Sequence, residues 1–192
     1  MRIVYAAAVL AAASAVPAFA QNAAPAPFVG GHVEAITGYD SISVEGDSDG
    51  GIAYGIAGGY DFSLGGTVRA GFELEAAEST AEECASNVLV AGDELCAEAR
   101  RDLYVGGRLG AVVSNNVLLY AKLGYTNARL GAAYDNGTTV VSEAANADGV
   151  RAGAGADFVV GRNMFIRAEY RYSNYESDFS RHQGVVGLGF RF

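Results

Sequence analysis

The side chains best suited to catalysis in this sequence are its two histidines, His32 and His182. Ser180 stands two residues before His182, and a histidine beside a serine can activate that serine as a nucleophile. Such chemistry requires the nucleophile and its base to lie within hydrogen-bonding reach of each other. Whether these residues form a site therefore depends on where the surrounding elements place them.

Carboxylates are the second group of candidate ligands, because hard divalent cations bind carboxylate oxygens. The run Asp47-Ser48-Asp49-Gly50 begins like a calcium loop but lacks the later ligand positions of such a loop. We therefore interpret the two acidic stretches as solvated surface and predict no metal site. Their acidic residues are Glu45, Asp47, Asp49, Glu78, Glu82, Glu83, Asp93, Glu94 and Glu98.

Glycine-rich segments such as Gly153-Ala154-Gly155 could suggest a nucleotide-binding loop. Such loops present phosphate groups to the N-terminus of a helix that follows them, and no helix is predicted here. The sequence predicts no cofactor.

The segment Gly184 to Phe192 shows which elements must position all these residues. Side chains alternate across a strand, so Val186, Leu188, Phe190 and Phe192 share one face while Arg191 shares the other with small residues. The same alternation recurs in seven earlier segments, which predicts eight strands. Their polar faces carry thirteen charged residues: Glu34, Arg69, Glu73, Glu75, Asp102, Arg108, Lys122, Arg151, Asp157, Arg167, Glu169, Arg171 and Arg191.

Two all-β architectures fit eight alternating strands. A soluble barrel would point its apolar faces inward, whereas a membrane barrel would point them at lipid and enclose the charges. The connections alternate between long and short, with short turns at Ser63–Gly66, Ser114–Asn116 and Gly161–Asn163. This asymmetry is typical of outer-membrane barrels, so we predict an eight-stranded antiparallel up-and-down transmembrane β-barrel over residues 21–192.

The first twenty residues support export. Arg2 is followed by an uncharged run that ends in Ala18-Phe19-Ala20, the small-x-small pattern of a signal peptidase site. Residues 1–20 are therefore predicted to be a cleaved signal peptide. Beyond Ala20 no apolar run reaches the roughly 18 residues that a membrane-spanning helix needs. The formal net charge of −9 argues against a nucleic-acid partner.

Several motifs resemble the small OmpA-type, opacity-like outer-membrane β-barrel family. They are Gly38-Tyr39-Asp40, Tyr60-Asp61-Phe62, Arg101 to Gly110, and the closing Gly-Leu-Gly-Phe-Arg-Phe. The resemblance covers residues 21–192 and implies an outer-membrane location among lipid and lipopolysaccharide. It further implies that Phe190 and Phe192 are the signal read by the barrel-assembly machinery.

Some small outer-membrane barrels are enzymes that modify lipid A, so catalysis needs a test. The deacylases among them carry His-x-Ser on one strand, whereas the order here is Ser180-Arg181-His182. His32 and His182 are predicted at opposite rims, separated by the apolar band of ~25 Å. We predict that the protein is not an enzyme. The leading hypothesis for its function is envelope integrity and surface interaction through the outer loops. A narrow small-solute pore is the alternative, and lipid modification is the third hypothesis.

The thirteen charged residues bear on the choice between a structural barrel and a pore. Eight strands enclose a lumen that side chains can fill, and the two signs of charge are nearly balanced along the polar faces. Near balance favours cross-strand ion pairs, so the sequence predicts a lumen blocked by a salt-bridge network.

Cys84 and Cys96 lie in the second long connection. Export places them in an oxidising compartment, which favours a disulfide. Ser79 with Glu82 resembles a helix capping box and predicts that part of the connection is helical. A continuous helix would hold the two residues ~18 Å apart, so a bridge requires a chain reversal, which Gly92-Asp93 can supply.

Deleting Phe192 is expected to impair assembly, because the family resemblance makes the terminal aromatic residue the recognition signal for insertion. Immunoblots of outer-membrane fractions should show a lower level of the truncated protein than of wild type. An undiminished level would contradict the assignment.

Overall fold

The computed structural model of the chain describes residues 27–44, 47–80, 82–86, 94–135, 140–176 and 179–192. The predicted signal peptide and the predicted reversal at Gly92-Asp93 lie outside the described residues. Within them the chain forms nine β-strands and no helix. The strands are β1 (Gly30–Val44), β2 (Asp47–Gly65), β3 (Val68–Ser79), β4 (Glu82–Ser86), β5 (Glu94–Ser114), β6 (Val117–Asp135), β7 (Val140–Val159), β8 (Met164–Tyr175) and β9 (Phe179–Arg191).

Eight of these strands close into an antiparallel barrel. Each pairs with its neighbour along the chain, β3 pairs directly with β5, and β1 pairs with β9 to complete the ring. The short β4 pairs with β5 beyond the barrel wall. The predicted fold class is confirmed.

The two faces of the strands separate as the sequence pattern predicts. Side chains of β8 alternate strictly between exposed and buried along the whole strand. On β9 the apolar residues Val186, Leu188 and Phe190 point outward and are about half exposed, at 54%, 49% and 51%. The polar faces point into the barrel, so the interior is lined by charged groups.

The two ends of the barrel differ. The turn end carries both termini of the described barrel and the short turns at residues 66–67, 115–116 and 160–163. Gly65 and Gly66 there have φ of 112° and 51°, a backbone region that residues with a Cβ seldom adopt. Phe192 exchanges two backbone hydrogen bonds with Gly31, at 3.0 and 2.9 Å, and so extends the seam between β9 and β1. The opposite end, which carries the longer connections, is called the loop end below.

At the loop end the strands run further than the sequence pattern suggests. Much of the polar stretch before Gly50 has the composition of a loop, but it belongs to β1 and β2. The pairing of these two strands begins at Val44 opposite Asp47. Likewise β6 and β7 pair as far as Asp135 and Val140. Polar residues have weak strand propensity, but an adjacent ladder supplies partners for their backbone groups and extends the strands.

The expectation of helix in the second long connection is wrong. Residues Glu82–Ser86 form β4, because a hairpin with the upper part of β5 pairs their backbone groups. In this hairpin Cys84 lies directly opposite Cys96. Directly opposed residues of an antiparallel pair have Cα atoms ~4.5–5.5 Å apart, within the ~4.4–6.8 Å range that disulfides span.

Among the described residues, no helix is long and apolar enough to cross a membrane.

The position of Cys84 directly opposite Cys96 in the β4–β5 hairpin supports the predicted disulfide. Purified protein that has never been reduced is expected to show no reactive thiol after denaturation, and two per chain after reduction. The bridge should stabilise the hairpin by about 3 kcal/mol or less, because it closes a short loop. A Cys84→Ser/Cys96→Ser variant should therefore still form the barrel. Reactive thiols in the unreduced protein would exclude the bridge.

Candidate functional site: the charged interior

Among the residues that the structure describes, the interior of the barrel contains equal numbers of acidic and basic side chains. Eight carboxylates and eight cationic groups point inward, and all are buried except Arg191, whose side chain is 12% exposed. The carboxylates are Glu34, Asp40, Asp61, Glu73, Glu75, Asp102, Asp157 and Glu169, and the cations are Arg69, Arg108, Lys122, Arg151, Arg167, Arg171, Arg181 and Arg191.

Fifteen of these sixteen groups, all except Arg69, form one continuous chain of ion pairs that begins at the loop end. Arg181 contacts Asp40 and lies 3.2 Å from Asp102. Arg151 also contacts Asp102, and its other terminal nitrogen is 3.2 Å from Glu75. Each arginine therefore joins carboxylates from two different strands.

The chain continues through the middle of the barrel. Arg171 contacts Glu75 and places Nε 2.7 Å from Glu169. Lys122 follows, with its Nζ 2.7 Å from Glu169 and 2.7 Å from Glu73. A single ammonium group thus connects two acidic residues on β8 and β3.

The chain reaches the turn end through three arginines. Arg167 lies 2.6 Å from Glu73 and 2.8 Å from Asp157, and it also contacts Glu34. Arg108 lies 3.3 Å from Asp157 and contacts Asp61, which in turn is 2.6 Å from Arg191. Since opposite charges alternate along the whole length of the lumen, no unpaired charge is left to attract a passing ion along this chain.

Two buried tyrosines pack inside the network. The Tyr120 ring lies under the guanidinium groups of Arg108 and Arg167, at 4.9 and 5.0 Å. The Tyr104 ring lies 4.7 Å from the Lys122 ammonium and 5.5 Å from the guanidinium of Arg151. Cation–π contacts of this kind strengthen when the groups are removed from water.

Inward glycines make room for these rings. A Cβ added at Gly155 would lie 2.7 Å from the Tyr120 hydroxyl, closer than carbon and oxygen can pack. Gly106 and Gly124 face the Tyr104 ring in the same way. At these three positions glycine therefore leaves space for an aromatic ring.

The structure brings twelve of the thirteen predicted interior residues into the ion-pair chain. Arg69 lies apart near the turn end, where it donates to the backbone carbonyls of Pro27 and Gly66 at 2.9 and 3.1 Å. Sequence reasoning missed Asp40, Asp61 and Arg181. The first two stand on the inward face of their strands, so the alternation could have identified them. Arg181 precedes the alternating segment that begins at Gly184, but β9 begins two residues before Arg181.

His32 is a further interior residue that the sequence did not identify. Its ring is buried, with Nδ1 3.6 Å from Asp61 and Nε2 3.8 Å from Glu73. His32, Glu34 and Glu73 could each offer one ligand atom to a metal ion, and these atoms lie within 4.8 Å of one another. However, both carboxylates already bind Arg167, whose positive charge opposes a second cation at this place.

The histidines do not share a site. His182 lies on the outer surface near the loop end, where Tyr170 is hydrogen-bonded to its Nδ1 at 2.6 Å. His32 lies opposite Arg191, nine positions further along β9, which corresponds to ~30 Å. His32 and His182 therefore lie at opposite ends of the barrel, as the sequence predicts. Among the described residues, no histidine other than His182 lies beside Ser180.

An apolar outer surface, a charged interior and unequal ends define a bacterial outer-membrane β-barrel. The family model for the outer membrane protein beta-barrel domain matches residues 6–192, and the chain belongs to that family. The resemblance seen in the sequence is thereby confirmed.

Solved structures of outer-membrane proteins share the fold. Ail of Yersinia pestis aligns with a TM-score of 0.60 and 17% identity over 85% of this chain and 99% of Ail. Neisserial surface protein A aligns with a TM-score of 0.55 and 16% identity over 84% of this chain and 97% of that protein. OprG from Pseudomonas aeruginosa aligns with a TM-score of 0.53 and 12% identity over 88% of this chain and 99% of OprG. No curated protein sequence matches the chain.

Replacing Arg167 tests the energetic role of the network. In Arg167→Ala, Glu34 loses the one cation that contacts it among the described residues, while Glu73 and Asp157 each lose one of several. The free energy of unfolding should fall by about 3–5 kcal/mol, because a buried charge is left without its partner. Urea unfolding in lipid vesicles measures the change.

Arg162→Ala is the matched control, since Arg162 is exposed in a turn. Its stability should equal that of wild type. Equal stability of the Arg167 and Arg162 variants would show that the network contributes little.

Proposed function

We propose that the protein is a non-enzymatic outer-membrane barrel that stiffens the envelope and makes surface contacts through its loop end. The observation that carries this proposal is the continuous ion-pair chain, which fills the lumen with side chains from all eight barrel strands. A rigid, filled barrel serves as a membrane anchor for a surface-exposed binding region. Export by residues 1–20 and insertion through Phe190 and Phe192 belong to the same proposal.

The loop end offers a sheet that extends beyond the barrel. The upper parts of β4, β5, β6 and β7 continue to pair with one another there. The partner strand β8 reaches only Tyr175, which lies opposite Gly149. Among the described residues, Val140–Asp148 therefore has no strand on its second side. Such an edge can accept an extended peptide by strand addition.

The charge of the loop end favours a cationic partner. Every acidic residue outside the interior belongs to a loop-end connection or to a strand end beside it: Glu45, Asp47, Asp49, Glu78, Glu82, Glu83, Asp93, Glu94, Glu98, Asp135, Glu143, Asp148, Glu176 and Asp178. The basic residues of the same region are Arg100, Arg101 and Arg129. Ail has been crystallised with the heparin analogue sucrose octasulfate. The acidic excess here would repel such a polyanion, so that ligand does not transfer to this chain.

Conductance separates the structural function from a pore. Wild-type protein in a planar lipid bilayer is expected to show no steady current, because buried, ion-paired side chains occupy the lumen. Arg108→Ala, which removes the contact to Asp61 and Asp157, should produce small transient openings. Steady wild-type channels of porin size would favour the pore instead.

Lipid A from a deletion strain provides the test for enzymatic activity. Its mass spectrum should match that of the parent strain if the protein is structural. A missing or additional acyl chain in the parent would favour a lipid-modifying enzyme.

A further inference from the structure

The three loop-end arginines meet at an irregularity of the barrel wall. Between β5 and β6 the register shifts, with Ala99 opposite Leu130 and Asp102 opposite Ala128. Arg100 and Arg101 therefore stand against the single residue Arg129, which is the arrangement of a β-bulge. Like charges placed directly opposite each other on a sheet destabilise it unless a counter-charge lies between them.

Two of these arginines lie on the outer surface of the barrel. Arg101 and Arg129 are exposed, and each follows the outward alternation of its strand, as Leu103 and Tyr125 do. Arg101 donates to Asn127 Oδ1 at 3.3 Å. Within the described part of the chain neither arginine forms an ion pair. Both side chains are therefore free to bind an anion that approaches along the wall.

Nearby carboxylates have other hydrogen-bond donors. Glu78 lies directly opposite Arg101 but accepts a hydrogen bond from the Tyr54 hydroxyl at 3.1 Å. Asp148 accepts one from Asn127 Nδ2 at 2.6 Å and another from the Tyr125 hydroxyl. These neutral donors hold the two carboxylates beside the arginines without neutralising them. The arginines thus remain the unpaired cations of this surface.

The depth of the two arginines in the membrane follows from the length of β5. Its outward residues from Leu103 to Val113 are apolar or glycine and form the lipid-facing band. About ten residues of a strand tilted by about 40° rise ~25 Å along the barrel axis, which is the height of the apolar band. Arg101 is the next outward residue beyond this band, and Arg129 lies one outward position beyond Asn127. Both lie at the level of lipid headgroups.

We propose that Arg101 and Arg129 form a docking site for a phosphate group of lipid A in the outer leaflet. A guanidinium group binds phosphate through two parallel N–H donors, so two neighbouring arginines can hold one phosphate from both sides. With the short turns in the periplasm, as in outer-membrane barrels generally, the loop end faces the outer leaflet, where lipid A carries the phosphates nearest to this level. This inference rests on the outer-membrane function proposed above and adds a specific lipid contact to it. The acidic loop surface further out still disfavours a long polyanion.

Binding of bis-phosphorylated lipid A to the refolded barrel in detergent micelles tests the site. Arg101→Ala/Arg129→Ala should bind at least tenfold more weakly than wild type. Arg162→Ala removes an exposed arginine at the other end of the barrel and should bind within twofold of wild type. Arg101→Lys/Arg129→Lys keeps the charge but loses the paired donors, so its affinity should fall between the two.

Dephosphorylated lipid A and phosphatidylglycerol identify the group that is bound. Wild-type protein should bind dephosphorylated lipid A as weakly as the double alanine variant binds the phosphorylated form. Equal binding of phosphorylated and dephosphorylated lipid A by the wild-type protein would overturn the site. Equal affinity of wild type and the double alanine variant for phosphorylated lipid A would also overturn it. Phosphatidylglycerol that competes as well as lipid A would also overturn it, because the surface would then bind any anionic lipid.

Heat-dependent gel migration separates this inference from the proposed function. Both arginines lie outside the ion-pair chain, so the double alanine variant should keep the wild-type shift of a closed barrel. A variant that shifts normally and still binds lipid A refutes the docking site alone. Loss of the shift in wild type would refute the barrel function itself.

Discussion

Confinement of charge in a narrow lumen is the constraint on which the rest of this structure depends. Eight strands leave an interior that side chains can fill, and the described residues of the inward faces carry sixteen charged groups. A buried charge without a partner costs several kcal/mol, so fifteen of these groups meet one of opposite sign, and Arg69 donates to backbone carbonyls instead. The alternation of carboxylates and guanidinium groups from Asp40 to Arg191 is the arrangement that satisfies this requirement.

This arrangement reverses the organisation of a water-soluble domain. The apolar residues point at lipid, and the buried apolar clusters are small, such as Ile36 with Ala77 and Val185. Packing inside the barrel comes instead from arginine side chains, from the rings of Tyr104 and Tyr120, and from glycines that leave space for those rings. Contacts between strands far apart in the sequence therefore connect opposite walls of the barrel across the lumen.

Charge also divides the protein into distinct regions. The described interior charges balance, so the negative net charge comes from the acidic residues of the loop-end connections and the strand ends beside them. Acidic residues dominate there, while the three arginines gather at one bulge in the wall beside the membrane. In the function proposed above, the acidic extended sheet serves partners in the medium and the basic rim serves lipid headgroups.

The sequence by itself determined the eight barrel strands, their outward and inward faces and most of the interior charges. These follow from a period of two, which is local and readable one strand at a time. Asp40 and Asp61 were also readable, since they share that period. Tertiary structure decided the lengths of strands at the loop end, the strand β4, and the inward position of Arg181, because an adjacent ladder can extend strands through polar sequence. Tertiary structure also decided which charged side chains form ion pairs with each other. Arg167 and Glu34 are 133 residues apart in the chain, and only the closure of β9 onto β1 and the stagger of the strands bring them into contact.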